Sequence, residues 1–471
     1  MKQHSTKALL KSGGAGAVAL AIAVVLGASV HSQAVPTAEY IMVASPDVAA
    51  DFASRHSLAI EERVEGQRDV ALLTGIVEET EAAEIEADAA TDSHIASFER
   101  NRALRVTEVA DAKLGGSSAA ILETLPDKTP VPYYGATAWK GYVEQPAAKI
   151  IKVKDAQGQY GTGGNVVVAV IDTGIDANHP LLKGLVRDGY DFVRQVPGGV
   201  GDTSDLSGSS AAILETGTGD LQSKLLNGSV AAILEGSVAA ILEGSSAAIL
   251  EGSSAAILEN GGGLGKGFGH GTMVAGLIHL VAPTAELMPV TAFDANGDSD
   301  IFNIVRSIYY AADHGARVIN MSFSMPQDSR AIARALRYAA DKGVITVAAA
   351  GNASSGVNVF PASYSQTTGV ASTSDLDSRS KFSNYGSSIV TLAAPGEKLI
   401  TTYPGAHYAA AWGTSFSSGF VSGTAAMLLQ WVPSMKQGDF ENALATGAKK
   451  IGQDVGQGRL DIYTTLQKKV K

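Results

Sequence analysis

A continuous apolar run, Val166–Ile171, constrains the fold of this chain more than any other feature of its sequence. Its residues are β-branched apart from one alanine, without the apolar–polar alternation of a half-exposed strand. Such a run is typical of a strand that is buried on both faces of a parallel sheet. Because Asp172 follows it directly, we expect a carboxylate at the carboxyl end of the strand, where reacting groups collect in open α/β sheets.

Short apolar runs alternate with helical patterns after this strand. The alternation predicts βαβ units with right-handed crossovers, and therefore an α/β fold with a doubly wound, mostly parallel sheet flanked by helices. The expected strands are Leu287–Phe293, Val318–Phe323 and Val344–Ala350, and the expected helices run from about Ile304 to Gly315, from about Arg330 to Gly343 and from Ser415 to about Trp431.

The composition fits a large buried core and excludes several classes of protein. Of the 471 residues, 45% are hydrophobic and 18% are charged, which excludes wholesale disorder. The net charge of −11 argues against a nucleic-acid-binding protein and against a polybasic membrane-surface protein. Because the chain has no cysteine, disulfides, thiolate metal sites and cysteine nucleophiles are all excluded.

The first 34 residues predict an export signal. Lys2, Lys7 and Lys11 precede the uncharged stretch Ala15–Ala28, and Ser32–Ala34 supplies small residues for a cleavage site. An uncleaved membrane anchor is the alternative, but this stretch is shorter than the roughly 20 residues that span a bilayer. We therefore expect a secreted protein, extracellular or in the cell envelope, with no stable membrane anchor.

The next segment predicts a small α+β unit, residues 38–75, followed by an acidic helix. A serine followed by a proline is a typical helix start, and short apolar runs lie on both sides of it. The acidic segment is expected to form a solvated helical face. The expected elements are the strand Tyr40–Ala44, a helix that starts at Ser45 and Pro46 and ends near Leu58, the strand Ala71–Thr74, and a helix over Glu78–Glu99.

An octapeptide, Gly-Ser-[Ser/Val]-Ala-Ala-Ile-Leu-Glu, interrupts the α/β pattern. It occurs at 208–215, four times in tandem over Gly228–Glu259, and once more at 116–123. A period of eight turns the apolar face of a helix by about 80° per copy, whereas in a strand it returns each side chain to the same face. We expect stacked strands or a mobile loop rather than a helix, within an insert, 202–263, that the surrounding domain folds without.

Asp172 and His270 are the first candidates for chemistry. Asp172 lies in the segment VIDTGID, where its carboxylate could orient an imidazole, although a helix cap or a turn aspartate fits the same pattern. His270 lies between two glycines at an expected helix start, which leaves its ring uncrowded; a structural histidine in a glycine turn is the alternative. Four histidines lack this context and are expected at the surface or in caps, namely His179, His279, His314 and His407.

Ser415 and Asn352 are the other two candidates. Ser415 opens a helix, where the helix dipole favours negative charge and a histidine base would turn the hydroxyl into a nucleophile. A plain N-cap serine has the same pattern. Asn352 ends the segment VAAAGN, where its amide could donate to an oxyanion or form a simple turn.

In chain order these motifs resemble the catalytic domain of the subtilisin-like serine proteases, the subtilases of peptidase family S8. The order Asp, His, Ser is the one found in subtilisin. Without the insert, the separation of Asp172 and His270 falls from 98 to 36 residues, close to that of a compact family member. The resemblance covers 140–465 and is carried by VIDTGID, HGTMVAG, VAAAGN, the Gly-Thr-Ser motif at 413–415, VINMSFS at 318–324, and FSNYG at 382–386 before Ala-Pro-Gly at 394–396.

The resemblance implies a mechanism for this sequence. Ser415 would be the nucleophile, His270 the general base and Asp172 the group that orients His270. The Asn352 side chain and the Ser415 N–H would form the oxyanion hole. The reaction would be endopeptidase hydrolysis of protein or peptide substrates through an acyl-enzyme, with no cofactor in the chemistry and no nucleic-acid partner.

The resemblance also divides the chain. Residues 1–34 would be the signal peptide, 35–115 a propeptide that acts as an intramolecular inhibitor and folding aid, and 116–139 a linker marked by prolines. Residues 140–471 would be the catalytic domain, which contains the 202–263 insert.

Subtilases often bind structural calcium, but the sequence assigns no ligands for it. Asp294, Asn296, Asp298 and Asp300 offer oxygen atoms in one short segment. The glycine there does not stand at the sixth position that an EF-hand loop requires, and a polar Asn-Gly turn explains the segment better.

Two departures from the family pattern affect the expected site. Gly419 stands where the family usually has proline, which loosens the first part of the helix that starts at Ser415. Ser322-Phe323-Ser324 lacks the usual glycine after the bulky residue, which changes the expected shape of the specificity pocket.

Two other functions are compatible with the same chain. An exported but inactive protein with the protease fold is one, and the complete Asp, His, Ser and Asn set argues against it. The second is a surface or assembly protein in which the octapeptides are the functional element.

Overall fold

The computed structural model describes residues 37–105, 127–199, 267–452 and 454–470. The predicted export signal, every copy of the octapeptide and the 202–263 insert lie outside the described residues. Over the described ranges, the structure contains no helix that is long and apolar enough to cross a membrane.

The N-terminal unit is an antiparallel sheet covered by two helices. Its elements are β1 (Thr37–Ala44), α1 (Pro46–Arg55), β2 (Ala59–Val64), β3 (Gln67–Ile76), α2 (Glu79–Thr91), β4 (Ile95–Arg100) and the short β5 (Ala103–Arg105). The four longer strands lie in the order β2-β3-β1-β4, so the buried run of β1 occupies the inside of the sheet. This arrangement confirms the predicted α+β unit.

The helix start predicted in this unit is confirmed, and the helix ends three residues earlier than predicted. The Ser45 hydroxyl accepts a hydrogen bond from the Val48 N–H at 3.4 Å, and proline is the first residue of α1. The helix ends at Arg55 rather than near Leu58. Ser57 adopts a positive φ of 54°, which a right-handed helix does not allow, and the chain turns there into β2.

The acidic segment is helical only in its first part. Helix α2 ends at Thr91, and the residues beyond it form β4, which pairs antiparallel with β1. Phe98 of β4 stacks on Tyr40 of β1 with ring centroids 4.8 Å apart. Packing on a buried neighbouring strand therefore overrides the local helix propensity of this segment.

Part of the predicted linker is folded onto the larger domain. Residues 130–139 form a hairpin of β6 (Pro130–Tyr133) and β7 (Ala136–Trp139), and the Tyr133 hydroxyl donates to the Leu280 carbonyl at 2.6 Å. Prolines alone suggested a linker, but proline is tolerated in an edge strand that lacks a partner on one side. Three short helices follow, α3 (Lys140–Val143), α4 (Pro146–Ile150) and α5 (Val153–Tyr160).

An eight-stranded sheet organises the rest of the molecule. Its strands are β8 (Val167–Asp172), β9 (Tyr190–Asp191), β10 (Val196–Pro197), β11 (Glu286–Thr291), β13 (Val318–Met321), β14 (Ile345–Ala349), β15 (Thr367–Thr373) and β16 (Leu392–Pro395), and between β11 and β13 the chain forms the short β12 (Asp298–Asp300). The order is β10-β9-β11-β8-β13-β14-β15-β16, and only the β10–β9 pair is antiparallel. The predicted mostly parallel sheet is therefore confirmed, with the fully buried β8 inside it.

Helices cover both faces of this sheet, as a doubly wound fold requires. Val168 and Val170 of β8 belong to a core shared with α6 (His270–Val281), whereas Ala169 and Ile171 belong to the opposite core. The remaining elements are α7 (Ile301–Asp313), α8 (Arg330–Asp341), the hairpin β17 (Leu399–Tyr403) and β18 (His407–Ala411), α9 (Thr414–Trp431), α10 (Gln437–Gly447) and α11 (Ile462–Lys469). Helices α6 and α9 contribute to the first core, and α7 and α8 to the second.

Most predicted boundaries in this domain agree with the structure to within three residues. Helix α7 starts at Ile301 rather than near Ile304, because the Asp300 carboxylate accepts from the Asn303 N–H at 2.8 Å and caps the helix earlier. Strands β15 and β16 and the β17–β18 hairpin were not predicted.

Candidate active site

The carboxylate that ends β8 contacts the imidazole that begins α6. Asp172 Oδ1 lies 2.8 Å from His270 Nδ1, and the two side chains are only 2% and 6% exposed. The same carboxylate oxygen accepts from the Thr173 N–H at 2.8 Å, which fixes its orientation. A carboxylate in this position holds one ring nitrogen as an N–H and leaves the other directed away from it.

The glycines beside His270 are required by close approach. A Cβ built on Gly271 would lie 2.0 Å from the carbonyl oxygen of Gly174, so only glycine allows α6 to start against the loop after β8. Gly269 has a φ of 83°, and a Cβ there would lie 2.6 Å from the ring of Tyr403. The two glycines that flank His270 in the sequence, which suggested an uncrowded imidazole, thus reflect a tightly packed helix start.

Ser415 lies in the first turn of α9, and this turn approaches His270. The ring of the next residue, Phe416, has its centroid 5.5 Å from that of His270. The Ser415 hydroxyl donates to the Ser322 carbonyl at 3.0 Å. Because a hydroxyl has one proton, it must turn from this carbonyl before it can donate to an imidazole.

Asn352 follows β14 and is oriented by the same first turn. Its Oδ1 accepts from the Thr414 N–H at 3.0 Å and from the Thr414 hydroxyl at 2.9 Å. The amide oxygen is thereby occupied, so the Nδ2 group is the part of the side chain left to act as a donor. The Ser415 N–H is among the first four N–H groups of α9, which have no acceptor within the helix.

The structure therefore brings all four predicted residues to one edge of the sheet. Asp172 and His270 contact each other directly, and Asn352 binds the residue that precedes Ser415. The arrangement offers a carboxylate-bound imidazole, a hydroxyl in the helix turn that approaches it, and an amide N–H₂ and a main-chain N–H at the same helix start.

Asn384 is a residue of the site that sequence reasoning missed. Its Oδ1 accepts from the N–H groups of Ala353 and Ser355, both at 3.0 Å, and its Nδ2 donates to the Ala350 carbonyl at 2.9 Å. Asn384 thus holds the loop that carries Asn352. Its FSNYG segment was noticed only as a matching motif, and no feature of that segment reveals its partners.

Two histidines expected at the surface or in caps are instead buried. The His179 Nε2–H donates to the His407 carbonyl at 3.0 Å, and burial lowers the pKa of His179. Burial lowers the pKa of His279 to about 3, with the nearby His179 as a smaller cause. His314 is exposed at the end of α7, where it bonds the Tyr310 carbonyl, in agreement with the prediction.

The Asp294–Asp300 segment is a turn followed by strand β12, which begins at Asp298. Asp294 Oδ1 accepts from the N–H groups of Asn296 and Asp298 at 2.9 and 2.8 Å, so its carboxylate is committed to the turn. Among the residues that the structure describes, no cluster of three or more His, Asp or Glu side chains is placed to hold a metal ion.

Comparison with known proteins identifies the family. The subtilase family (peptidase S8) matches residues 163–462, more than half of the chain. Thermitase from Thermoactinomyces vulgaris is 32% identical over 311 residues, which cover 65% of this chain and 90% of thermitase. Subtilisin Savinase from Lederbergia lenta is 35% identical over 195 residues, which cover 40% of this chain and 72% of Savinase.

A solved structure supports the same fold. Fervidolysin from Fervidobacterium pennivorans, described as a keratinolytic enzyme related to subtilisin, superposes with a TM-score of 0.64 at 19% identity. The match covers 93% of this chain and 62% of fervidolysin. The resemblance inferred from the motifs is thus confirmed: the chain belongs to the subtilase family and is a subtilisin-like serine endopeptidase.

Proposed function

We propose that Ser415 is the nucleophile of this peptidase and His270 its general base. The observation that carries the proposal is the buried 2.8 Å contact of Asp172 and His270 beside the helix start at Ser415. His270 takes the hydroxyl proton as Ser415 attacks the peptide carbonyl, and later gives that proton to the leaving amine. Asp172 orients His270 and stabilises its protonated form.

The negative charge that develops on the carbonyl oxygen is stabilised by two donors. These are the Asn352 side-chain amide and the Ser415 N–H, and the contact between Asn352 and Thr414 supports their placement on one side of the helix start. Collapse of the tetrahedral intermediate gives an acyl-enzyme on Ser415, which water then hydrolyses. No cofactor is part of this chemistry.

We propose that residues 35–115 act as an inhibitory propeptide. Glu62 of β2 binds Arg306 of α7 at 2.6 Å, and Glu99 of β4 accepts from the Ser329 hydroxyl and the Ala331 N–H at the start of α8. Strand β5 pairs antiparallel with β12, which follows the carboxyl end of β11 at the edge where Asp172 lies. A segment paired there competes with an extended substrate for the same edge.

The proposed substrates are proteins and peptides, and the proposed location is outside the cell or in the cell envelope after removal of residues 1–34. The alternative of an octapeptide-based surface protein rests on residues outside the described ranges. The presence of all four site residues favours the active peptidase.

Labelling with a serine-directed fluorophosphonate tests the proposal. Wild-type protein should be labelled and should hydrolyse casein, whereas Ser415→Ala should do neither. The same variant should accumulate as an uncut precursor, because removal of the propeptide requires the active site. Near-wild-type casein hydrolysis by Ser415→Ala would refute the assignment, and a fully active wild-type precursor that stays uncut would refute the propeptide.

A further inference from the structure

A continuous chain of buried hydrogen bonds lies behind Ser415 and has no part in the mechanism above. The Ser422 hydroxyl donates to Asn320 Oδ1 at 2.8 Å, and Asn320 Nδ2 donates to the Ser322 hydroxyl at 2.8 Å. Ser322 in turn donates to the Ser415 carbonyl at 3.0 Å. The Ser418 hydroxyl donates to that same carbonyl at 2.7 Å.

We call Asn320, Ser322, Ser418 and Ser422 the Asn320 network. All four side chains are at most 1% exposed. From Ser422 through Asn320 to Ser322, each group donates to the next, so the chain has one direction and ends on the Ser415 carbonyl. Hydrogen bonds arranged in this way strengthen one another in a low-dielectric interior.

The start of α9 lacks the features that usually stiffen a helix N-terminus. Gly413 is the N-cap and supplies no side chain, and Gly419 is a weak helix former inside the helix. A Cβ built on Gly419 would lie 3.3 Å from the Val274 carbonyl oxygen of α6, so the two helices pass close to each other at this glycine. Because glycines occupy both positions, the first turn of α9 must be fixed by contacts from other parts of the chain.

We propose that the Asn320 network positions Ser415 for catalysis. It holds the main-chain carbonyl of Ser415, and with it the first turn whose hydroxyl and N–H react in the proposed mechanism. The proposal rests on that assignment of Ser415. Asn320, Ser418 and Ser422 are positioning residues, because their side chains reach Ser415 only at its carbonyl or through Ser322.

Ser418→Ala and Ser422→Ala test the proposal, with Ser417→Ala as a matched control. Ser417 lies on the same helix and is equally buried, but its hydroxyl donates to the Pro395 carbonyl, outside the network. We expect kcat to fall about fivefold for Ser418→Ala, the factor that corresponds to a typical net hydrogen bond, and about threefold for Ser422→Ala. KM should stay within about twofold of wild type, as should both constants of Ser417→Ala.

Active-site titration with the fluorophosphonate counts only folded enzyme molecules, and kcat is calculated per molecule counted. A poor yield of folded protein therefore cannot lower the measured kcat. The double variant should lose less than the product of the two single losses, because both act through one carbonyl. Network variants with the kcat of the Ser417→Ala control, or with a raised KM and an unchanged kcat, would overturn the positioning role. Labelling of Ser415→Ala would overturn the assignment of the nucleophile itself, which distinguishes the two failures.

Discussion

His270 and Ser415 both stand at helix starts, but the two halves of the proposed active site are held in different ways. On the histidine side, one buried carboxylate contacts the imidazole at 2.8 Å, and a glycine lets the helix start against the neighbouring loop. On the serine side, several hydrogen bonds from Asn352, Ser322 and Ser418 share the task. A single substitution on the histidine side should therefore remove nearly all of the activity, whereas each substitution on the serine side should lower kcat by a smaller factor.

The largest effect is expected for Asp172→Asn. An amide cannot stabilise protonated His270 and can fix the wrong tautomer, so kcat should fall about 10⁴-fold at neutral pH. The measurement is steady-state hydrolysis of a chromogenic peptide, corrected by active-site titration. Asp176→Asn is the control, since this carboxylate is also buried but binds the N–H groups of Asn178 and Gly405. If kcat of Asp176→Asn falls as much as that of Asp172→Asn, the histidine side does not depend on one carboxylate, and the contrast between the two halves is wrong.

Asn352→Ala should have the next largest effect. Removal of one oxyanion donor typically costs about 10²–10³ in kcat. Thr414→Val is the comparison, because it removes the hydroxyl that binds Asn352 and keeps the N–H that does the same; its kcat should stay within about tenfold of wild type. An unchanged kcat of Asn352→Ala would exclude this residue from the oxyanion hole.

Asn384→Ala should cost about tenfold in kcat. The substitution leaves the N–H groups of Ala353 and Ser355 without their acceptor, so the loop that carries Asn352 loosens. Asn384→Asp keeps the acceptor and loses only the donor to Ala350, so its kcat should lie between those of wild type and Asn384→Ala. If both variants keep the wild-type kcat while their melting temperatures fall, Asn384 supports the fold and not the site.

The smallest effect on activity is expected at His279, on the helix that begins with His270. Tyr133 lies edge-on at 5.6 Å between ring centroids, His179 is the nearby titratable group, and burial holds the pKa of His279 at about 3. The unfolded chain, with a histidine pKa near 6.5, binds a proton that the folded chain does not. Stability contributed by the neutral ring is therefore present above pH 6.5 and is lost as the pH falls toward 3.

His279→Leu should remove this dependence without changing kcat at pH 8. Urea unfolding in the Ser415→Ala background avoids self-digestion, and between pH 6 and pH 4 the slope of the unfolding free energy should decrease by about 1.4 kcal/mol per pH unit. His314→Gln, at an exposed position, should leave the slope unchanged. Equal slopes for His279→Leu and wild type would show that His279 does not titrate in this way.

The sequence was most informative where one short segment contains the whole signal. The apolar run of β8 predicts a buried parallel strand, and each of the four site residues lies in a motif that can be recognised by itself. The contacts of Asn384 and the Asn320 network were invisible for the opposite reason. Asn320 and Ser422 are 102 residues apart and meet only because β13 and α9 pack together.

The wrong expectations have the same origin. A histidine in an apolar helix and a proline-containing segment give local signals that fit exposed positions. Burial of His279 and the hairpin over 130–139 arise from packing between the hairpin and α6, where Tyr133 meets both His279 and the Leu280 carbonyl. Single-segment patterns do not contain that information.

The burial of α9 affects how the enzyme loses activity on heating. Every residue from Thr414 to Leu429 is buried, and β8 lies between β11 and β13. Amide protons of β8 and of α9 up to Leu429 are expected to exchange with solvent only when the domain opens, since these residues are buried throughout. Because the hydroxyl of Ser415 and the carboxylate of Asp172 are attached to these buried elements, we expect thermal inactivation to follow the kinetics of global unfolding.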